Sequence, residues 1–203
     1  MNKFENMTLD ELEMYKRKRN FDKGFLNFDI QLKAITMCYP NKYINPALIL
    51  IYSTIDTLSY LDRKKDSETV KSRFTRWVDE YLLPGSKLKC SSIDLYAARC
   101  SLVHSSTTIS DLSKSGKAKQ IFYALGQKDK LSELVKRDKK EDRIAVIKIT
   151  DLFKALYNAI ETYKSMLNNN KPKKEQFIER MNDVLTEGDE DEFEIMDRVL
   201  PKI

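Results

Sequence analysis

The amino-acid sequence predicts an all-α protein, a helical bundle that carries one small β insertion. Along most of the 203 residues, apolar side chains recur at steps of three and four, the period of one helical face. Glycine and proline are scarce, with five of each, which disfavours all-β folds with many tight turns. A hydrophobic share of 41% with 33% charged residues excludes both a wholly disordered chain and an integral membrane protein.

The first two helices have clear ends and apolar stripes. Thr8 and Glu11 have the T-x-x-E spacing of a capping box, so the first helix is predicted to begin there and to end at Tyr39-Pro40. Its apolar face consists of Phe21, Phe25, Phe28, Leu32 and Ile35. The second helix has the strongest stripe of the chain, formed by Ile44, Leu48, Ile51, Ile55 and Leu58.

Two more helices are predicted before residue 105. The third is stopped by Pro84-Gly85 and is marked by Val70, Phe74, Trp77, Val78 and Tyr81. The fourth begins near Ser91, where Asp94 three residues later gives an N-cap signal, and runs to about His104. A loop rich in serine and threonine, residues 105–115, follows it.

The second half of the chain contains the β insertion. The runs 120–125 and 143–149 are predicted to pair as a small β-hairpin, with 126–142 as a charged excursion between them. A long helix covers 152–167 and a last helix covers 177–185. Residues 1–186 are therefore one helical domain with a β insertion at 119–149, and residues 187–203 are an acidic C-terminal tail.

The charge is distributed unevenly along the chain. The formal net charge is +5, but the tail has seven acids and two bases, so residues 1–186 carry +10 and the tail −5. A basic body suits a polyanion such as RNA. The alternative is that the lysines only solvate helix faces.

Several classes of site are disfavoured by residue usage. Cys38, Cys90 and Cys100 form no C-x-x-C pair, and His104 is the only histidine, so a zinc site is not expected. We predict no metal and no cofactor. Free thiols, the absence of a signal-peptide pattern and the absence of a membrane-spanning apolar run predict a cytoplasmic protein that does not bind membranes.

One short motif carries a chemical signal. Arg99 lies five residues before His104, at the predicted end of the fourth helix. RNA can be cleaved without metal when its own 2′-OH attacks the adjacent phosphate. Histidine can move protons near neutral pH, and arginine offers a permanently charged, bidentate contact to phosphate.

The residues around this pair resemble the HEPN superfamily, whose motif is an arginine, four to six further residues and a histidine. The segments 96–100, 104–106 and 112–118 are similar to one version of that motif in bacterial HEPN-like proteins. The resemblance implies a HEPN-like helical bundle and a homodimer with a composite cleft. It also implies a metal-independent RNase acting in toxin–antitoxin systems, phage defence or RNA processing, with an antitoxin or regulatory protein as a partner.

Helix geometry adds a constraint on Arg99. A five-residue step rotates about 140°, so Arg99 and His104 do not share a face, and Arg99 lines up with Leu95, Leu102 and Val103. Arginine on an apolar stripe needs a partner. Either an acid meets it, or the stripe is a homodimer interface through the Arg99–His104 helix, which would bring a second histidine to the cleft.

Three neighbouring residues complete the candidate site, and each has a purely structural role as its alternative. Asp56 is expected to be a solvated position on the second helix, unless it pairs with Arg99 or orients His104 as acids do in some HEPN sites. Ser101 and Ser105 flank the motif and can bind substrate phosphate, or serve capping and loop roles.

The motif and the resemblance lead to two functions, beside a third interpretation in which the chain is an ordinary helical interaction protein and the R-x4-H spacing is a coincidence. The first is a metal-independent endoribonuclease in which His104 is the general acid/base and Arg99 stabilises the phosphate. The alternative is a non-catalytic HEPN-like module that binds RNA or protein. Cys100, which stands where many HEPN nucleases have a polar residue, and the modest net charge favour the alternative.

Overall fold

The computed structural model describes residues 8–105, 109–126 and 130–184, and it is mostly helical, as the sequence predicts. The helices that form the bundle are α1 Leu9–Cys38, α2 Ile44–Leu61, α3 Val70–Trp77, α4 Ser92–Ser105, α7 Ile149–Asn169 and α8 Lys171–Arg180. The shorter elements are α5 Asp111–Lys114, β1 Gln120–Ala124, α6 Lys130–Arg137 and β2 Ile144–Lys148. The predicted tail, 187–203, lies outside the described residues.

The predicted stripe of α1 faces the core. The Thr8 hydroxyl accepts the Glu11 backbone N–H, and the Glu11 carboxylate accepts the Thr8 N–H, which completes the predicted capping box. All five apolar stripe residues of α1 are at most 7% exposed. Gly24 lies where α1 approaches the C-terminal segment, since a Cβ there would sit 3.0 Å from Met181 Sδ and 3.1 Å from Phe177 Cζ.

Helix α2 is the centre of the bundle. It contacts α1, α3, α4, α7 and α8, and half of its 18 residues are buried. Helix α3 continues into a π-helical turn, Val78–Leu82, which ends before the predicted Pro84-Gly85 stop. Aromatic rings from α1, α3, this turn, α7 and α8 fill the core beside α2, among them Phe25, Trp77, Tyr81, Tyr163 and Phe177.

The β insertion differs from the predicted hairpin. Strands β1 and β2 pair in parallel, with Gln120 opposite Ile144 and Ala124 opposite Lys148. In a parallel pair, the connection must return the chain to the end of the sheet at which the first strand begins. Residues 125–143 make this connection, and they include α6. The Tyr52 and Tyr123 hydroxyls, 2.5 Å apart, join β1 to α2.

The loop predicted at 105–115 also differs in part, because it contains the one-turn helix α5, capped by the Ser110 hydroxyl on the Ser113 N–H. Within the described ranges, no helix is long and apolar enough to cross a membrane.

A buried ionic cluster closes the C-terminal end of α2. The Asp62 side chain is 3% exposed and contacts Arg76 Nη1 at 2.5 Å and Lys173 Nζ at 3.4 Å. Arg76 also bonds Glu68 through Nε at 3.1 Å. The cluster therefore joins α2, α3, α8 and the loop between α2 and α3.

We predict that Asp62→Ala destabilises the fold much more than Asp66→Ala in the same loop. Removing Asp62 takes the most buried acid away from Arg76, which is 16% exposed and keeps only Glu68 and Glu80, at a cost of about 3–5 kcal/mol in the free energy of unfolding. Asp66 is 89% exposed, and its ion pair with Arg63 contributes about 0–1 kcal/mol. Urea unfolding of both variants measures the difference, and equal midpoints would contradict the structural role of the cluster.

We also predict that Glu68 contributes stability that depends on pH. Burial opposes its charge, but hydrogen bonds from Arg76 and from the Lys64 backbone lower the pKa of Glu68 below 4.5. Because the pKa is lower in the folded state, the ionised carboxylate stabilises the fold above pH 4.5, and this contribution is lost as pH falls through the folded-state pKa.

The check on Glu68 is the difference in unfolding free energy between wild type and Glu68→Gln across pH. Glutamine does not titrate, so the difference is expected to be largest above pH 4.5 and to shrink below it. A difference that stays constant with pH would contradict the assignment.

Candidate functional site

The arginine of the motif meets an acid from the central helix. Arg99 on α4 donates through Nε to Asp56 Oδ2 on α2 at 2.6 Å. The Arg99 side chain is 13% exposed and the Asp56 side chain 20% exposed, so the ion pair is partly shielded from water. This ion pair joins α2 to α4 at the start of the R-x4-H motif.

The contact resolves one of the alternatives that the sequence leaves open. Leu95, one turn before Arg99, is fully buried, and the position of Arg99 on that stripe requires a partner. Asp56 provides it, so the expectation that Asp56 is a solvated helix-face residue is wrong. The reason is packing: α2 is enclosed by other helices, and α4 covers the side of α2 that carries Asp56.

Electrostatics around the pair keep Arg99 charged. Burial opposes the charge, but the hydrogen bond and the attraction of Asp56 raise the pKa of Arg99 above its usual value. Burial also raises the pKa of Tyr96, aided by its contact with Cys100. Tyr96 packs edge-on against Phe74, so the cluster of Arg99, Asp56 and Tyr96 lies beside the aromatic core rather than on an open surface.

The other predicted site residues are placed as follows. His104 and Ser105 belong to the last turn of α4, but their side chains lie outside the described residues. Ser101 is 6% exposed, and its hydroxyl donates to the Ala98 carbonyl at 3.0 Å, a local bond within the helix. A phosphate contact by Ser101 or Ser105 stays a prediction, as does the catalytic role of His104.

The structure has a basic groove near the start of α4 that the sequence did not predict. It has a volume of about 600 Å³ and is lined by segments from before α4, from α6 and from β2. Its cations are Lys87, Lys89, Lys119, Lys136 and Lys148, and its acids are Glu133, Glu141 and Asp151. In the sequence, the only signal of this groove is the pair of alternating lysines, Lys87 and Lys89. The fold is what brings these two lysines close to Lys119, Lys136 and Lys148.

The Asp94 carboxylate links the groove to α4 by accepting two backbone N–H groups. Asp94 Oδ1, in the first turn of α4, accepts the Lys119 N–H at 2.6 Å, and Asp94 Oδ2 accepts the Ser91 N–H at 2.9 Å. These bonds fix the segment before β1 against the N-terminal end of α4. A surplus of two positive charges in the groove suits an anionic ligand.

Across the described ranges, no group of three or more histidine, cysteine, aspartate or glutamate side chains is arranged to hold a metal ion. The three cysteines are free and half-buried, and burial raises the pKa of Cys90 to about 12. Cys90 is therefore a protonated thiol at neutral pH rather than a nucleophile.

The resemblance to HEPN proteins rests on residues 96–118 and on the helical frame. The Arg99–Asp56 pair and the basic groove are argued from contacts within this chain alone. Comparisons of the chain with protein-family models, with curated proteins and with solved structures found no match.

Proposed function

We propose that this chain is a HEPN-like, metal-independent endoribonuclease. Arg99 stabilises the phosphate and His104 transfers protons. The observation that carries the proposal is the Arg99–Asp56 ion pair, which holds a charged guanidinium five residues before the only histidine. The basic groove at the other end of α4 supports the choice of a polyanionic substrate.

The reaction uses only residue types that the chain contains. The 2′-OH of one nucleotide attacks the adjacent phosphorus, the bond from phosphorus to the 5′ oxygen breaks, and a cyclic phosphate and a 5′-OH are formed. A base takes the proton of the 2′-OH and an acid gives one to the leaving oxygen. With one histidine per chain, we propose that a homodimer through α4 supplies the second.

Asp56 acts on this chemistry as a positioning residue. A guanidinium has five N–H donors in a fixed plane, so a contact from Nε to one carboxylate sets its orientation without using all of them. Negative charge develops on the phosphorane in the transition state. A cation held in a fixed position stabilises that charge more than it stabilises the ground state.

The second candidate is a non-catalytic HEPN-like module that binds RNA or a protein partner, and two observations favour it. Arg99 is only 13% exposed and its charge is balanced by Asp56, an arrangement that also serves to lock α2 to α4. The positive surplus of the basic groove suits an anionic ligand whether or not the motif is catalytic. The two candidates differ in whether RNA is cut.

We predict that wild type cuts mixed cellular RNA in EDTA and leaves cyclic phosphate ends, while His104→Ala does not. Loss of general acid–base catalysis lowers the rate by about 10²–10⁴-fold. The control is Lys154→Ala, which removes an exposed cation from α7 and leaves the motif intact. Unfolding midpoint and oligomeric state are measured for each variant.

The outcomes separate the two candidates. RNA that is bound but never cut supports the binding module. Equal cutting by wild type and His104→Ala contradicts the role of His104.

We predict that Asp56→Asn lowers kcat by about 10- to 100-fold, the effect of losing one charged hydrogen bond, and leaves KM nearly unchanged. Asparagine keeps the shape of the side chain but not its charge, so Arg99 loses its orientation. Rates and stability are measured together, and the comparison variant is Asp79→Asn, since Asp79 is an exposed acid that bonds Ser92 at the start of α4. An unchanged kcat with lowered stability would show that the ion pair is structural only.

A further inference from the structure

A polar pocket lies beside the Arg99–Asp56 pair. It has a volume of about 390 Å³ and is lined by α1, α2, α3 and the 3₁₀ turn Met181–Asp183. Its polar lining includes Asn27, Thr57, Tyr60 and Arg73, and Asp56 contributes to its wall. The pocket and the candidate site therefore share one residue of α2.

Arg73 differs from the other half-buried arginines of the described chain. Its Nε is buried and has no hydrogen-bond partner, and no ion pair or side-chain hydrogen bond joins its guanidinium to another described residue. The guanidinium instead makes a cation–π contact with the Tyr60 ring, whose centroid lies 5.1 Å from Arg73 Cζ. The other four each bond a carboxylate or a carbonyl, and they are Arg63, Arg76, Arg99 and Arg180.

The carboxylates of the pocket already have cations of their own. Asp56 bonds Arg99. Asp183 accepts the Tyr60 hydroxyl at 2.9 Å and lies 3.7 Å from Arg63 Nη2. Neither forms an ion pair with Arg73, so the one cation of the pocket lining is paired with no carboxylate of the described residues.

A buried donor without an acceptor costs free energy, and a guanidinium recovers it best from an oxyanion that can accept two N–H bonds. Phosphate matches the planar fork of arginine, and the Asn27 amide is a further donor in the same wall, whereas the Thr57 hydroxyl donates to the Ser53 carbonyl. Tyr60 holds the guanidinium against its ring. The pocket is thus equipped for a phosphate group.

We propose that the Arg73 pocket binds a backbone phosphate of the RNA strand, next to the phosphate that Arg99 contacts. The inference rests on the proposed function for the identity of the ligand, and it requires binding but no cleavage. Because Asp56 contacts Arg99 and lines the pocket, the two sites adjoin, and the proposal places neighbouring phosphates of one strand in them. Arg73 then fixes the register of the strand relative to the cleaved bond.

The test uses a short 2′-O-methyl RNA of mixed sequence, which has no 2′-OH nucleophile and is not cleaved. Its affinity is measured for wild type, Arg73→Gln and Arg73→Lys across a series of salt concentrations. The matched control is Lys71→Gln, because Lys71 is an exposed cation two positions earlier on α3 that does not line the pocket. Inorganic phosphate is added in parallel, and the Asn27 side-chain amide signals are followed by NMR.

We expect Arg73→Gln to weaken binding about 10- to 100-fold and to lower the salt slope by about 1. Arg73→Lys should recover only part of the affinity, since an ammonium lacks the fork. Lys71→Gln should stay within about twofold of wild type. Phosphate should shift the Asn27 signals in wild type and not in Arg73→Gln.

Each contrary result has a defined meaning. Arg73 variants that fold and bind like wild type overturn the proposal. An oligonucleotide that fails to bind while phosphate shifts Asn27 overturns RNA as the source of the phosphate. Arg73-dependent binding with no cleavage of unmodified RNA supports the pocket and rejects the nuclease, so the two failures are distinguishable.

Discussion

The enclosure of α2 is the constraint on which the rest of the structure depends. Five other helices contact it, so a charged side chain on its covered faces or at its C-terminal end is largely shielded from water and needs a partner on a neighbour. Asp56 bonds Arg99 of α4, and Asp62, at the C-terminal end of α2, bonds Arg76 of α3 and Lys173 of α8. The helices that cover α2 are thus selected by charge as well as by apolar fit, and the R-x4-H helix is one of them.

The long helices were predictable because their signals are local, although the last one, predicted at 177–185, begins at Lys171 and ends at Arg180. The stripes of α1 and α2, the capping box at Thr8 and the stop after α3 depend on residues a few positions apart, and each is found where the pattern places it. The β pair was predicted with the wrong direction, because strand direction depends on the connection. The polar pattern of 126–142 concealed the helix α6 that makes a parallel pairing reachable.

The candidate site was predictable only in its motif. Arg99 and His104 are close in sequence, whereas Asp56 is 43 positions from Arg99, and the packing of α2 on α4 makes that contact. The same holds for Arg73 and Arg76, which lie three positions apart on one helix. Nothing local distinguishes them, yet Arg76 is surrounded by acids and Arg73 faces a pocket.

Under the proposed function, the geometry of α4 also bears on the size of the substrate. The basic groove adjoins the residues just before α4, and His104 lies in its last turn, so the length of a 14-residue helix, about 20 Å, separates them. A mononucleotide cannot span that distance, whereas an extended strand of several nucleotides can. If groove and motif act on one ligand, binding energy comes from phosphates remote from the reacting bond, and shortening the strand removes it. In the proposed reaction, such a loss would fall on catalysis as well as on affinity, because remote contacts would hold the reacting phosphate against Arg99.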